Sequence, residues 1–172
     1  MTEGADDSLI PVAGELPKGL AELLPPENVL PELTARTAPG VIFEVAAFAA
    51  RRGLVASETW FAGALAEREA MMSTAVEGGL AFLHARQASN AYVVRPFVLL
   101  ARSSAGIAFG APDGHPTSLF FTLGLKYDRL HLRWLSRLAR LLRSPAVPAA
   151  LQSAPDAEAM LAILLGRDQT LE

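Results

Sequence analysis

The chain contains no cysteine, which excludes disulfides, thiolate metal sites and a cysteine nucleophile. Nor does it carry an excess of basic charge: 15 Lys and Arg stand against 18 Asp and Glu, for a net charge of −3. A nucleic-acid binder held by phosphate contacts needs the opposite balance, so no nucleic-acid partner is expected. Hydrophobic residues make up 51% of the chain and mean hydropathy is +0.29, yet no uninterrupted apolar run approaches the ~18 residues needed to span a bilayer. The first residues, with Glu3, Asp6 and Asp7, lack the basic start of a signal peptide. A cytoplasmic protein without membrane insertion is expected. Also missing are a G-x-x-x-x-G-K-[ST] loop and a G-x-G-x-x-G turn, so nucleotide binding has no cradle. No H-E-x-x-H or paired His/carboxylate spacing suggests a metal, and Ser73 has no G-x-S-x-G elbow around it. No metal or small cofactor is expected.

What is present is enough chain, 172 residues, for one globular domain with a sizeable core. Residues 1–25 are rich in Asp, Glu, Gly and Pro and read as a flexible or loosely docked N-terminal extension. A helical turn over residues 18–24 is stopped by Pro25-Pro26, and the domain proper is placed at 26–172. Helix signals build from Glu32 and more clearly from Pro39, with Val41, Val45, Phe48 and Ala49 at helical spacing, and stop at Arg51-Arg52-Gly53. Ser57 caps the next helix. Past His84 the period changes: Tyr92 to Ala101 and Ile107 to Phe109 read as two strands of a hairpin with its turn at Ser103 to Gly106. Ala111-Pro112-Asp113-Gly114 is a further turn and Ser118 to Leu125 a buried strand. Asp128 is placed as the cap of a long helix reaching about Arg143. Ser144-Pro145 opens a short helix, and Ser153 with Asp156 resembles a capping box before Ala157 to Leu165. Helices on both sides of a run of strands give an α/β sandwich with a mixed sheet.

The chemistry concentrates in Glu67 to Arg86. Helical phasing puts Trp60, Phe61, Ala64, Leu65, Met71 and Met72 on one apolar face, with Arg68 among them. A guanidinium directed inward must meet a carboxylate, a phosphate or a water-filled cleft. Glu77-Gly78-Gly79 supplies a turn, and His84 then closes the apolar run Leu80 to Leu83 where a buried strand reaches the edge of the fold. In the Asp128 helix, Trp134, Leu135, Leu138, Leu141 and Leu142 share a face with His131, opposite Arg129, Arg133, Arg137, Arg140 and Arg143. His131 therefore points inward from the first turn, where the helix N-terminus favours a neutral ring and a nearby anion. His115, on a turn, reads as a solvent-facing bystander.

Arg68-Glu69, Ser73-Thr74, Gly79, Ala81 and His84 resemble, in this order, the R-E helix end, S-T pair and G-x-A-I-P-H strand of the enzyme IIA domain of the bacterial sugar phosphotransferase system, fructose/mannitol and nitrogen-regulatory type. Leu83 stands where that family usually has proline. His131-Leu132 resembles the family's second histidine motif, after a loop, Gly124 to Leu130, that is shorter and lacks the usual proline. The resemblance runs from about Pro26 to the end of the chain. It implies a mixed sheet of about five strands between helices and a phosphocarrier that accepts a phosphoryl group on His84 from HPr or a relative. Arg68 and His131 would assist, and Ser73 or Thr74 would contribute hydroxyls to bind phosphate. The acceptor would be an enzyme IIB domain, or the phosphorylation state would act as a regulatory signal. A silent relative acting by protein–protein interaction is the alternative.

Overall fold

In a computed structural model, residues 19–171 are described; what is expected of residues 1–18, most of the N-terminal extension, lies outside them. The described chain runs α1 (Leu20–Leu23), a 3₁₀ turn (Pro26–Asn28), β1 (Val29–Leu30), α2 (Ala38–Arg51), α3 (Glu58–Met71), β2 (Ala75–Val76) and β3 (Leu80–His84). It continues through β4 (Phe97–Ile107), β5 (Thr117–Gly124), α4 (Asp128–Leu141), α5 (Ala146–Ser153) and α6 (Ala157–Gln169). The strands form one sheet in the order β1-β4-β5-β3-β2. β1 with β4 and β3 with β5 are parallel, while β4 with β5 and β2 with β3 are antiparallel. This is the mixed five-stranded sheet between helices that the resemblance implies.

Strand alternation divides the core. Leu80, Val98, Leu100, Leu119, Phe121 and Leu123 pack with α1, α4, α5 and α6; Ala81, Leu83, Phe97, Leu99, Ala101 and Phe120 pack with α2 and α3. With both faces covered, the strands read as almost continuous apolar runs, so direction had to come from connections rather than pattern. Three helices start where a side chain accepts an N–H: Thr37 from Gly40, Ser57 from Trp60 and Asp156 from Ala159.

Several sequence expectations are corrected. The hairpin over Tyr92 to Phe109 is one strand, β4. Ser103–Gly106 is an irregularity within it: the strand advances from Arg102 to Ile107 while its partner moves only from Leu119 to Thr117, and Gly106 takes the positive φ of 75° that the detour needs. β4 begins after Pro96, which has no N–H for the ladder, and Val93 instead makes a single bridge to Val55. The reversal is at Ala111-Pro112-Asp113-Gly114, closed by Gly114 N–H donating to Ala111. The two-residue edge strands β1 and β2 are too short for a period to show. Ser153 ends α5 rather than joining a capping box, and α2 begins at Ala38 rather than near Glu32. Tyr127, not Asp128, occupies the cap of α4. Met71 and Met72 are exposed because α3 frays at this point. Leu20, Leu23 and Leu24 belong to the core, and Asp168 of α6 accepts the N–H of Leu20. Packing thus starts ahead of Pro26.

Gly124, at the end of β5, lies opposite Phe97, and a Cβ there would fall on the edge of the Phe97 ring. That ring is itself held edge-on to Phe61, with centroids 5.8 Å apart. Gly124→Ala is expected to cost about 2 kcal/mol by overpacking. Urea denaturation measures it, and adding Phe97→Leu restores part of the loss.

Candidate functional site

His84 is the last residue of β3 and pairs in register with Leu123 of β5. Alternation puts its side chain on the same face as Phe82, toward α4. Its Nδ1 lies 2.9 Å from the carbonyl oxygen of Phe82. A carbonyl only accepts, so Nδ1 carries the proton in the neutral ring and the lone pair is left on Nε2. Burial, then the charge of Arg68, pull the pKa of His84 below the usual histidine value; the Phe82 contact and Glu69 act the other way. The ring is therefore neutral at neutral pH.

His131, in the first turn of α4, is buried and faces it: the two ring centroids are 5.7 Å apart and the planes are inclined by 66°. Burial and the nearby His84 push its pKa down to about 4, against a smaller opposing effect of Asp128. The unfolded chain thus binds a proton below about pH 6.5 that the fold refuses until about pH 4. Stability is full above the unfolded value and falls as pH drops through this window, by on the order of 3 kcal/mol from this group. Urea denaturation at a series of pH values checks the sign: His131→Phe flattens the slope, and His84 leaves a smaller one in the same direction.

Arg68 does not sit in the apolar face. It is half-buried near the end of α3, and its Nη1 donates to the carbonyl of Met72 at 2.8 Å. Glu69 accepts from the Thr74 N–H at 2.9 Å and from the Thr74 hydroxyl at 2.6 Å, while Thr74 accepts the N–H of Phe82. These bonds stitch the end of α3 to β3 and hold Arg68 where its charge acts on His84. The Ser73 hydroxyl donates to Phe109 and accepts from Ala75. Both hydroxyl protons expected for phosphate are therefore already directed to protein acceptors. His115 is exposed, as its position on a turn suggested.

One contributor was missed. The carboxylate of Asp128 accepts the N–H of Ala88 at 2.7 Å, and Leu125 accepts that of Ser89, so the segment leaving His84 is pinned to the start of α4. An aspartate before a helix reads as a cap, and nothing in the sequence shows a partner 40 residues away. Beside this segment lies a cleft of about 310 Å³, bordered by Trp60, Glu67, Arg86, Ser89 and Tyr92; Trp60 and Tyr92 stack at 4.8 Å. Among the described residues no group of three or more His, Asp or Glu could hold a metal, and no helix is long and apolar enough to cross a membrane. The arrangement is a neutral imidazole whose Nε2 keeps its lone pair, a second neutral imidazole facing it and a guanidinium nearby, which suits transfer of an anionic group to nitrogen.

The family model described as "Phosphoenolpyruvate-dependent sugar phosphotransferase system, EIIA 2" matches residues 22–166. A nitrogen regulatory protein of Bradyrhizobium diazoefficiens is 33% identical over 149 residues, covering 84% of this chain and 94% of that protein. The crystal structure of nitrogen regulatory protein IIA-Ntr from Neisseria meningitidis superposes with a TM-score of 0.75 at 27% identity, covering 84% of this chain and 97% of that one. The Escherichia coli complex of enzyme IIAMTL and phosphorylated enzyme IIBMTL gives a TM-score of 0.71 at 20% identity, covering 81% and 95%, a likeness of fold.

Proposed function

Because the chain belongs to the EIIA 2 family of the phosphoenolpyruvate-dependent sugar phosphotransferase system, we propose that its His84 is the carrier residue of a phosphocarrier domain. The observation that carries this is the opposed pair of neutral rings, His84 and His131, with the Nδ1 of His84 tied to Phe82. Nε2 of His84 attacks the phosphorus of a phosphohistidine on an HPr-like donor. The new N–P bond forms as the donor's N–P bond breaks, and the donor imidazole, already protonated on its other ring nitrogen, leaves neutral while His84 keeps its Nδ1 proton. The reverse chemistry delivers the group to an acceptor. Arg68 offsets charge on the phosphoryl oxygens, and His131, which makes no hydrogen bond to a described residue, donates one to them. Glu69, Ser73 and Thr74 hold Arg68 and the strand end in place, and Asp128 does the same for the far side.

The name of the mannitol complex supports an enzyme IIB-type acceptor for this fold. The higher identity to nitrogen regulatory proteins favours a role in which the phosphorylation state is the signal. We take the carrier domain as residues 26–172 together with the packed residues from Leu20 onward, working in the cytoplasm. The test is incubation with phosphoenolpyruvate, enzyme I and HPr. One acid-labile, base-stable phosphoryl group per chain, returned to HPr on reversal, is expected; no uptake from donors that charge a known enzyme IIA overturns the carrier role.

A further inference from the structure

At the far end of α4, Arg140 and Arg143 meet Arg167 of α6 across an open cleft of about 350 Å³, completed by Ser144 and Leu171. Among the described residues no carboxylate borders it. Asp168, adjacent in sequence to Arg167, is committed elsewhere: it accepts from Leu20 N–H and pairs with Arg137 at 2.6 Å, the one ion pair among the described residues. None of the three guanidinium groups hydrogen-bonds to a described residue, and the Nε of Arg167 is buried with no acceptor. A buried donor left open calls for a partner.

The ordinary explanation, cations offsetting helix C-terminal carbonyls, does not account for the cluster. The last turns of α4 and α6 are already closed by backbone donors: Leu142 to Leu138, Arg143 to Arg140, Thr170 to Arg167 and Leu171 to Asp168. What remains is three guanidinium groups lining one cleft, three like charges with no described carboxylate among its lining residues. Guanidinium forks match phosphate oxygens two at a time, and a diphosphate brings enough charge and oxygens for all three where a single carboxylate does not. The volume is at the small end for a small-molecule cleft.

We propose that the Arg140–Arg143–Arg167 cleft binds the diphosphate group of a small molecule, at a site separate from His84. Arg140 follows His131 by nine residues on the same helix, roughly 13 Å along its axis at ~1.5 Å per residue, so the two sites do not share an anion.

The experiment is calorimetric titration of the full chain with inorganic pyrophosphate and, separately, with ADP, at low salt. Saturable one-to-one binding is expected for both, weakening as salt is added. Equal affinities place recognition in the diphosphate; tighter ADP binding adds a contact to the nucleoside. Arg140→Ala, Arg143→Ala and Arg167→Ala each weaken binding about 10-fold or more. Arg140 and Arg143 are exposed, so their variants fold, as circular dichroism verifies. His84→Ala and Arg68→Met bind as the native chain does, which keeps this proposal separable from the carrier role: either can fail alone. Glu172→Gln, run in parallel, controls for the acidic residue that follows Leu171 in the sequence. The proposal is overturned if neither probe saturates at millimolar concentration with the native chain and Glu172→Gln, if the Arg140→Ala/Arg143→Ala double variant binds normally, or if Arg68→Met abolishes binding.

Discussion

Replacing His84 by alanine is expected to abolish phosphoryl uptake, and replacing Arg68 by methionine to slow it by about 10²- to 10³-fold. The first effect is complete because no other described histidine can take its place: His131 is buried, and His115 is on an exposed turn. The second reflects a charge term. Phosphoryl transfer leaves its charge on three peripheral oxygens, and a fixed guanidinium near them stabilises the transition state without reorganising. Because Arg68 also lowers the pKa of His84, Arg68→Met raises it, and the acid limb of the rate profile moves to higher pH. Arg68→Lys keeps the charge, loses the fork and falls in between. Single-turnover transfer from phosphorylated HPr measures all three. An Arg68→Met rate within about threefold of native at every pH would remove Arg68 from the site.

Arg102→Met is expected to lower stability by about 3 to 4 kcal/mol, the largest loss from any single position considered. Arg102 is buried in β4, 8% exposed. Its Nε donates to Pro31 at 3.0 Å, and its Nη1 donates to Leu151 at 2.8 Å and Ala154 at 2.7 Å. One guanidinium thus caps the C-terminal carbonyls of α5 and ties them to the segment after β1. Methionine fills similar space and leaves those carbonyls buried and unpaired. Glu32 stands near enough for its carboxyl to be held below the usual range, chiefly by the Ser104 hydroxyl and in part by Arg102. Urea denaturation reads the loss, and Arg102→Lys recovers little of it because a point charge cannot serve both directions. Arg102 lies about 17 Å along the strand from Phe97, at ~3.4 Å per residue, so the folded fraction of Arg102→Met accepts a phosphoryl group at the native rate.

These two arginines show how far the sequence could be read. His84 stood out because it interrupts an apolar pattern, whereas Arg68, expected on an apolar face, lies half-buried near the end of α3. His131 stood out for the same reason on α4, and its inward direction holds: it is buried with its ring facing His84. The helix capped by Ser57 was equally plain, since the cap and the first turn are local. What escaped depended on distant partners. Arg102 sits between the apolar run Phe97 to Ala101 and the expected turn at Ser103–Gly106, so nothing in the sequence marked its role; the carbonyls it serves lie about 50 residues away. Asp128 read as a cap because its true partner, Ala88, belongs to another loop. Ser73 and Thr74 read as phosphate ligands because the sequence does not reveal that Phe109 and Glu69 already accept their protons. Leu83 occupies the position before the histidine without disturbing the strand: it pairs in register with Thr122 and is buried, so β3 delivers His84 to the sheet edge without the family's usual proline.

The claim at the centre of this account is that His84 reacts through Nε2 because Nδ1 is held by the Phe82 carbonyl. It is tested most directly by NMR of the phosphorylated protein labelled with ¹⁵N in its histidine rings, correlating the ring nitrogens with phosphorus and with the ring protons. The expected result is a single phosphohistidine, assigned to His84 by its absence in His84→Ala, with phosphorus bonded to Nε2 and the proton retained on Nδ1. Phosphorus on Nδ1 of His84, or on either ring nitrogen of His131 or His115, would contradict it.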